Sequence, residues 1–183
     1  MRRVNYLKVV LAIAVATAGA ASAMTFSVHD PCGGGNAESC APRILGRGPV
    51  TEGDAVALRA AVARWLKEGM GGFSGITLHS PGGSLSGGIA LGMEIRLLKL
   101  DTIATASFSE YVRVPGDYKE NVLVRQVECH SACVYAFAGG MRRGTEGAIF
   151  GVHQFASRVA NPNAESNAQV TGVLLRGYLQ EMG

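Results

Sequence analysis

A glycine-rich break between a short strand and a helix constrains this chain most. Residues 75–79 (GITLH) form a β-type run, which the SPGG turn (residues 80–83) interrupts before a helical stretch at about 85–98. A strand that turns into a helix through Pro-Gly-Gly can leave backbone N–H groups facing outward, and such donors bind oxyanions. An ordinary strand-to-helix turn is the simpler alternative, and this segment alone does not decide between the two.

Strand and helix patterns alternate along the rest of the chain. After Thr51, apolar residues spaced i, i+3, i+4 and i+7 predict an amphipathic helix that ends at the glycines after Glu68; they are Leu58, Ala61, Val62 and Trp65. Further elements are predicted as strands at 43–46, 102–106 and 148–152, and as helices at 131–138 and about 168–182, with a loop around 139–143. Such alternation in 183 residues predicts a single α/β domain.

A polar insertion occupies residues 107–128. Its centre, Pro115-Gly116-Asp117, has turn chemistry, and β-branched residues flank it on both sides. The pattern predicts a projecting hairpin. It could cover a cleft as a flap or lie in solvent, and the sequence leaves both open.

The N-terminus has the features of a secretory signal peptide. Residues 1–23 combine a basic start, an apolar run of about 15 residues from Val9 and the triplet Ala21-Ser22-Ala23. We expect cleavage after Ala23 and a periplasmic or secreted protein; an uncleaved anchor is the alternative, and the only one that involves a membrane. Residues 24–42 are then predicted to be a loop-rich N-terminal arm before a domain at 43–183.

Charge and cysteine content bound the possible partners and the compartment. Cleavage of the signal peptide would remove three of the 17 Lys and Arg, which leaves 14 against 14 Asp and Glu. This balance does not indicate a basic surface for nucleic-acid binding. Export would expose the four cysteines to oxidation. A Cys32–Cys40 bridge is the preferred pairing, while Cys129 and Cys133 form either a local bridge or two buried thiols.

Two further residues have types that acyl transfer needs. Ser131 opens a short apolar helix, where a serine can simply cap the N-terminus. His153 ends an apolar strand 22 residues later, where a lone histidine is usually structural. Together with the SPGG turn they form an ordered set of oxyanion donors, nucleophile and base.

The chain resembles the Clp protease proteolytic subunit of the ClpP/crotonase superfamily, and most closely its exported bacterial members. The similarity covers about residues 43–182 and rests on four segments in the family order: ILGRGPVTEGDAVALRAAVARWL, ITLHSPGGSLSGGIALGMEIR, HSACVYAFAGGMRR and AIFGVHQF. It implies the ClpP/crotonase-like spiral of strand-helix units and homo-oligomeric assembly. It also implies Ser131 as nucleophile, His153 as general base and the N–H groups of Gly82 and Ala132 as the oxyanion hole.

The chain departs from the family in its third catalytic residue. The family completes its triad with an aspartate well downstream of the histidine, and no aspartate follows His153. The third acid is therefore unknown, with no reason to prefer Asp101, Asp117 or Glu165. Truncation of the chain at its C-terminus, a Ser131–His153 dyad and a degenerate site all explain the departure.

The resulting expectation is an exported serine peptidase or other acyl hydrolase without a cofactor. Its substrate would be a peptide or another acyl compound. A non-catalytic binding or scaffold protein of the same fold is the first alternative, and a crotonase-type acyl-CoA enzyme is the second. A metal centre built from Cys129, His130, Cys133 and His153 is not expected, because their spacing does not fit a structural zinc site.

Overall fold

The computed structural model describes residues 23–29, 42–69, 72–105, 108–114, 117–124, 127–152 and 163–183. Within these ranges, four helices and nine strands follow one another along the chain. They are β1 (Thr25–His29), β2 (Arg43–Arg47), α1 (Asp54–Lys67), β3 (Gly75–His79), α2 (Leu85–Leu97), β4 (Asp101–Thr105), β5 (Phe108–Val114), β6 (Asp117–Val124), β7 (Glu128–His130), α3 (Ala132–Ala138), β8 (Arg143–Glu146), β9 (Ile149–Gly151) and α4 (Ala164–Met182).

The main sheet has five strands in the order β1-β2-β3-β4-β8. The three pairs from β2 to β8 are parallel, and β1 adds an antiparallel edge. Parallel neighbours need crossover connections, which α1 and α2 supply for the first two pairs. A mixed α/β class with a mostly parallel sheet is thereby confirmed.

Helix α1 lies where the apolar spacing predicted it. All four residues of the predicted stripe are buried in the core: Leu58, Ala61, Val62 and Trp65. At its start, the buried Asp54 carboxylate accepts hydrogen bonds from the Thr51 N–H (2.6 Å) and hydroxyl (2.8 Å). This pair ties the first turn to the preceding loop, as a capping box does.

Two segments predicted as loop are strands, and a third strand was not predicted. Thr25–His29 forms β1 instead of part of a loop-rich arm, because Phe26 and Val28 pack against the core at the sheet edge. Arg143, the last residue of the loop predicted at 139–143, begins strand β8, whose backbone pairs with β4 although Arg143 and Thr145 are exposed. The short β7 pairs in parallel with β9.

The polar insertion contains an antiparallel hairpin. Phe108 pairs with Val124 and Val114 with Asp117, and the register shifts between Glu110 and Tyr111. Such a shift is typical of a β-bulge, which bends and twists the ribbon.

Glycines let α3 lie directly against α2. A Cβ on Gly139 would lie 2.6 Å from the Gly92 Cα and would overlap its carbonyl oxygen. A Cβ on Gly88 would likewise overlap the carbonyl oxygen of Ala132. The backbone at the start of α3, where Ser131 lies, is therefore positioned by contact with α2.

Helix α4 packs on the body through one face. Leu175, Tyr178 and Met182 are buried, and the Tyr178 hydroxyl donates to the Tyr135 carbonyl (2.6 Å). Burial raises the pKa of Tyr178 to about 12. Val173 and Leu174 lie on the exposed face of this helix. None of the helices within the described ranges is long and apolar enough to cross a membrane.

Candidate functional site

Ser131 lies between β7 and α3 in a backbone conformation that few non-glycine residues adopt. Its φ is 53° and its ψ is −119°. A positive φ at such a residue costs about 1–3 kcal/mol and persists only where the surroundings impose it. The hydroxyl does not cap α3, and it makes no hydrogen bond within the described residues. Helix capping therefore does not explain the serine.

The SPGG turn lies directly against this serine. Gly82 has a φ of 98°, and a Cβ built on it would lie 2.8 Å from both the Ser131 Cβ and the His130 carbonyl oxygen. Only glycine combines this backbone conformation with so close an approach. The turn and the serine therefore lie in contact, and that they act together as one site stays a prediction.

The orientation of the peptide groups in this turn decides which N–H groups could bind an oxyanion. The Gly82 N–H donates to the Ser80 hydroxyl (3.1 Å) inside the turn. The Gly82 carbonyl accepts from the Val50 N–H (2.8 Å). Because a trans peptide directs its N–H opposite to its C=O, the Gly83 N–H points away from Val50.

Strand β7 lies on the side of the turn opposite to Val50. The Ser80 N–H donates to the Glu128 carbonyl (2.8 Å), and the His130 N–H donates to the Ser80 carbonyl (3.0 Å). Ser131 follows directly, so the Gly83 N–H points to the side on which Ser131 lies. Among the described residues, neither the Gly83 N–H nor the Ala132 N–H has a hydrogen-bond acceptor.

The predicted base, His153, lies outside the described residues. The strand that leads to it reaches the site, since the Ser131 N–H donates to the Gly151 carbonyl (2.7 Å). Among the possible third acids, Asp101 is engaged by Arg142, whose hydrogen bonds lower the pKa of this carboxyl. Glu165 is exposed on α4, and the side chain of Asp117 lies outside the description.

Comparison with known proteins gives no family for this chain. No family model and no curated protein matches it. The candidate site therefore depends on the geometry given above.

The two cysteines that flank Ser131 are joined. Cys129 and Cys133 form a disulfide with a Cα–Cα distance of 5.2 Å, so the local bridge is confirmed over two thiols. Cys32 and Cys40 lie outside the described residues, and their pairing stays a prediction. No group of three or more possible metal ligands occurs in the part of the chain that the structure describes.

Two histidines that the sequence pattern did not single out, His79 and His130, lie beside the site. His79 ends β3, and its Nδ1 accepts a hydrogen bond from the Glu128 N–H (3.2 Å). The His130 Nε2 lies 3.4 Å from the Glu128 carboxylate, and the His130 ring packs against Gly151. The signal in the sequence was the strand-end position of His79, directly before the SPGG turn.

His79 makes stability depend on pH. Burial, reinforced by the charges of Arg47 and His130 and opposed by Glu128, lowers its pKa below the ordinary 6.5. The unfolded chain then binds more protons between the lowered pKa and 6.5, so the free energy of unfolding falls as pH drops through this window.

We expect His79→Gln to reduce this dependence, because the glutamine amide oxygen can accept the same N–H without titrating. Urea unfolding at about pH 7.5 and about pH 5 measures the difference, which is at most about 1.4 kcal/mol per pH unit for one group. Equal losses in wild type and variant would contradict the assignment.

Proposed function

We propose that this chain is an exported serine hydrolase of the ClpP/crotonase-like fold, acting on a peptide or another acyl substrate. Ser131 is the nucleophile in this proposal, and His153 is the general base. The observation that carries it is the backbone of Ser131, a positive-φ serine between a strand and a helix. Sharp strand-to-helix turns of this kind present the nucleophile in other serine hydrolases.

The hydroxyl has the freedom that a nucleophile needs. Ser131 is half-buried, and its hydroxyl makes no hydrogen bond within the described residues. A serine hydroxyl is a weak nucleophile until a neighbouring base takes its proton. The proposed base, His153, follows Gly151 by two residues along the chain, and the Gly151 carbonyl accepts a hydrogen bond from the Ser131 N–H.

Backbone donors beside the serine support acyl transfer. The sequence predicted Gly82 and Ala132 as the oxyanion donors; the bond from the Gly82 N–H to Ser80 favours the next amide, Gly83, together with Ala132. In the tetrahedral intermediate, these N–H groups would stabilise the negative oxygen. Losing one such donor costs about 2.7–4 kcal/mol of transition-state stabilisation.

A fluorophosphonate probe tests the proposal, because it forms a covalent bond with activated serines. We expect the wild type to be labelled and Ser131→Ala to lose all labelling, since the attacking oxygen is gone. Intact mass spectrometry measures the adduct. Ser86→Ala, which removes an exposed serine of α2, is the matched control and should be labelled like the wild type.

Other outcomes would favour the alternatives. Equal labelling of wild type and Ser131→Ala would refute the assignment of Ser131 as the nucleophile. An unlabelled wild type would leave the binding or scaffold protein, or the crotonase-type acyl-CoA enzyme, as the better proposals. A thermal shift with acyl-CoA separates these two, because only the enzyme should be stabilised by it.

The disulfide supports the export that the leader predicts. Disulfides persist in oxidising compartments and are rare in the cytosol. We expect the leader to direct a fused reporter to the periplasm or the medium, and a reporter that stays in the cytosol would contradict this part of the proposal.

A second copy of this chain is the proposed partner. The free face of α4 exposes large apolar side chains, with Val173 72% and Leu174 65% accessible. We expect light scattering to show an oligomer that Val173→Glu with Leu174→Glu shifts toward the monomer. Gln169→Glu adds charge to the same helix without removing apolar surface and should leave the oligomer intact. A monomeric wild type would contradict the proposal.

A further inference from the structure

The Cys129–Cys133 disulfide encloses the candidate nucleophile in a small covalent ring. Cys129 lies in β7, Cys133 lies in the first turn of α3, and Ser131 is midway between them. A fully extended segment of four residues would span about 13 Å. The bond instead holds the two Cα atoms 5.2 Å apart, so the segment that contains the serine must stay compact.

The conformation of Ser131 needs such a restraint. Its φ of 53° lies in a sparsely populated region. In an unrestrained chain, other backbone conformations are favoured over this one by roughly 5- to 150-fold. Two backbone hydrogen bonds also hold it: its N–H donates to Gly151 (2.7 Å), and its carbonyl accepts from Val134 (3.0 Å). The side chain adds no hydrogen bond within the described residues, so the covalent ring and these two backbone bonds are the local restraints on Ser131.

The burial of the two cysteines indicates that the disulfide is a permanent bond rather than a redox switch. Cys129 and Cys133 are each 0% exposed and belong to the hydrophobic core. A thiolate must reach one of the sulfurs to reduce the bond. In the folded protein the bond is therefore protected and acts as a fixed restraint.

We propose that the Cys129–Cys133 disulfide is a positioning element that holds Ser131 in its reactive conformation. The inference rests on the proposed function, because it assigns the bond to the same serine. Its structural part, the restraint on the Ser131 backbone, can be measured without any turnover.

The test compares the same chain with and without the bond. Cys32 and Cys40 are replaced with serine so that only this disulfide can form, and the protein is refolded either oxidised or under dithiothreitol. We expect the reduced form to react with a fluorophosphonate about tenfold more slowly or worse, and reoxidation to restore the rate. The ¹³Cα and ¹³Cβ shifts of Ser131 should move away from their positive-φ values on reduction, while Trp65 fluorescence stays unchanged.

The outcomes separate the two claims. If the oxidised protein is not labelled but the Ser131 chemical shifts still change on reduction, the proposed function is refuted, while the restraint by the disulfide is supported. If the labelling rates and the Ser131 chemical shifts are equal in both forms, the restraint by the disulfide is refuted, while Ser131 stays supported as the nucleophile. If the reduced chain does not fold, Cys129→Ala with Cys133→Ala replaces it; loss of the fold there as well would overturn a local positioning role, because the bond would then support the whole body.

Discussion

Gly82→Ala is expected to slow the reaction of Ser131 with a fluorophosphonate by about 100-fold or more, since misplacing a catalytic group by about 1 Å costs that much. The new Cβ would lie 2.8 Å from the Ser131 Cβ and from the His130 carbonyl oxygen. Neither atom can rotate away as the end of a flexible side chain could. Alanine also disfavours the φ of 98° that this turn requires. Both effects push the turn and the serine apart.

Gly72→Ala is the matched control for this substitution. Gly72 is exposed, and a Cβ there meets no atom within 4 Å. Labelling rates should be compared at a temperature at which circular dichroism shows all three proteins folded. A Gly82→Ala protein that is folded and labelled at the wild-type rate would show that the turn does not form part of the site.

Gly139→Ala is expected to lower the free energy of unfolding by about 3 kcal/mol, at the upper end of the usual cost of overpacking. A Cβ at this position would overlap the backbone of Gly92, with the Gly92 Cα only 2.6 Å away. Because the clash is with backbone, α3 and α2 must separate to relieve it. Urea unfolding followed by the fluorescence of Trp65, the single tryptophan, measures the loss.

Gly177→Ala makes the same change on α4, where a Cβ meets nothing within 4 Å. Alanine is the better helix former, so this control should gain up to about 1 kcal/mol. Equal stability of Gly139→Ala and wild type would mean that α2 and α3 do not pack as closely as described.

The sequence predicts the helices and strands whose apolar residues repeat at a regular spacing because one face is buried. The α1 stripe repeats with the helical period because one face is in the core, and Pro81 with Gly82 and Gly83 marks the end of β3 through backbone chemistry alone. The missed strands lack such a pattern. Arg143–Glu146 lies at an exposed sheet edge and carries no apolar alternation, so only its pairing with β4 makes it a strand.

The sequence names candidate residues for the site, but it does not give their geometry. Order along the chain suggests that the SPGG turn and Ser131 act together. The positive φ of Ser131 depends on the Cys129–Cys133 bond, which the sequence left open, and on the contacts with Gly82 and Gly151, so the sequence alone does not give it. The hydrogen bond from the Gly82 N–H to Ser80 likewise depends on how the turn closes, and it shifts the expected oxyanion donor to Gly83.

A crystal structure of the fluorophosphonate-treated protein tests most directly whether Ser131 is a nucleophile beside an oxyanion hole. In the adduct, the phosphoryl oxygen occupies the position of the oxyanion. We expect phosphorus bonded to the Ser131 Oγ, with the phosphoryl oxygen about 2.7–3.1 Å from the N–H nitrogens of Gly83 and Ala132. An adduct on another residue, or a phosphoryl oxygen directed away from both nitrogens, would contradict it.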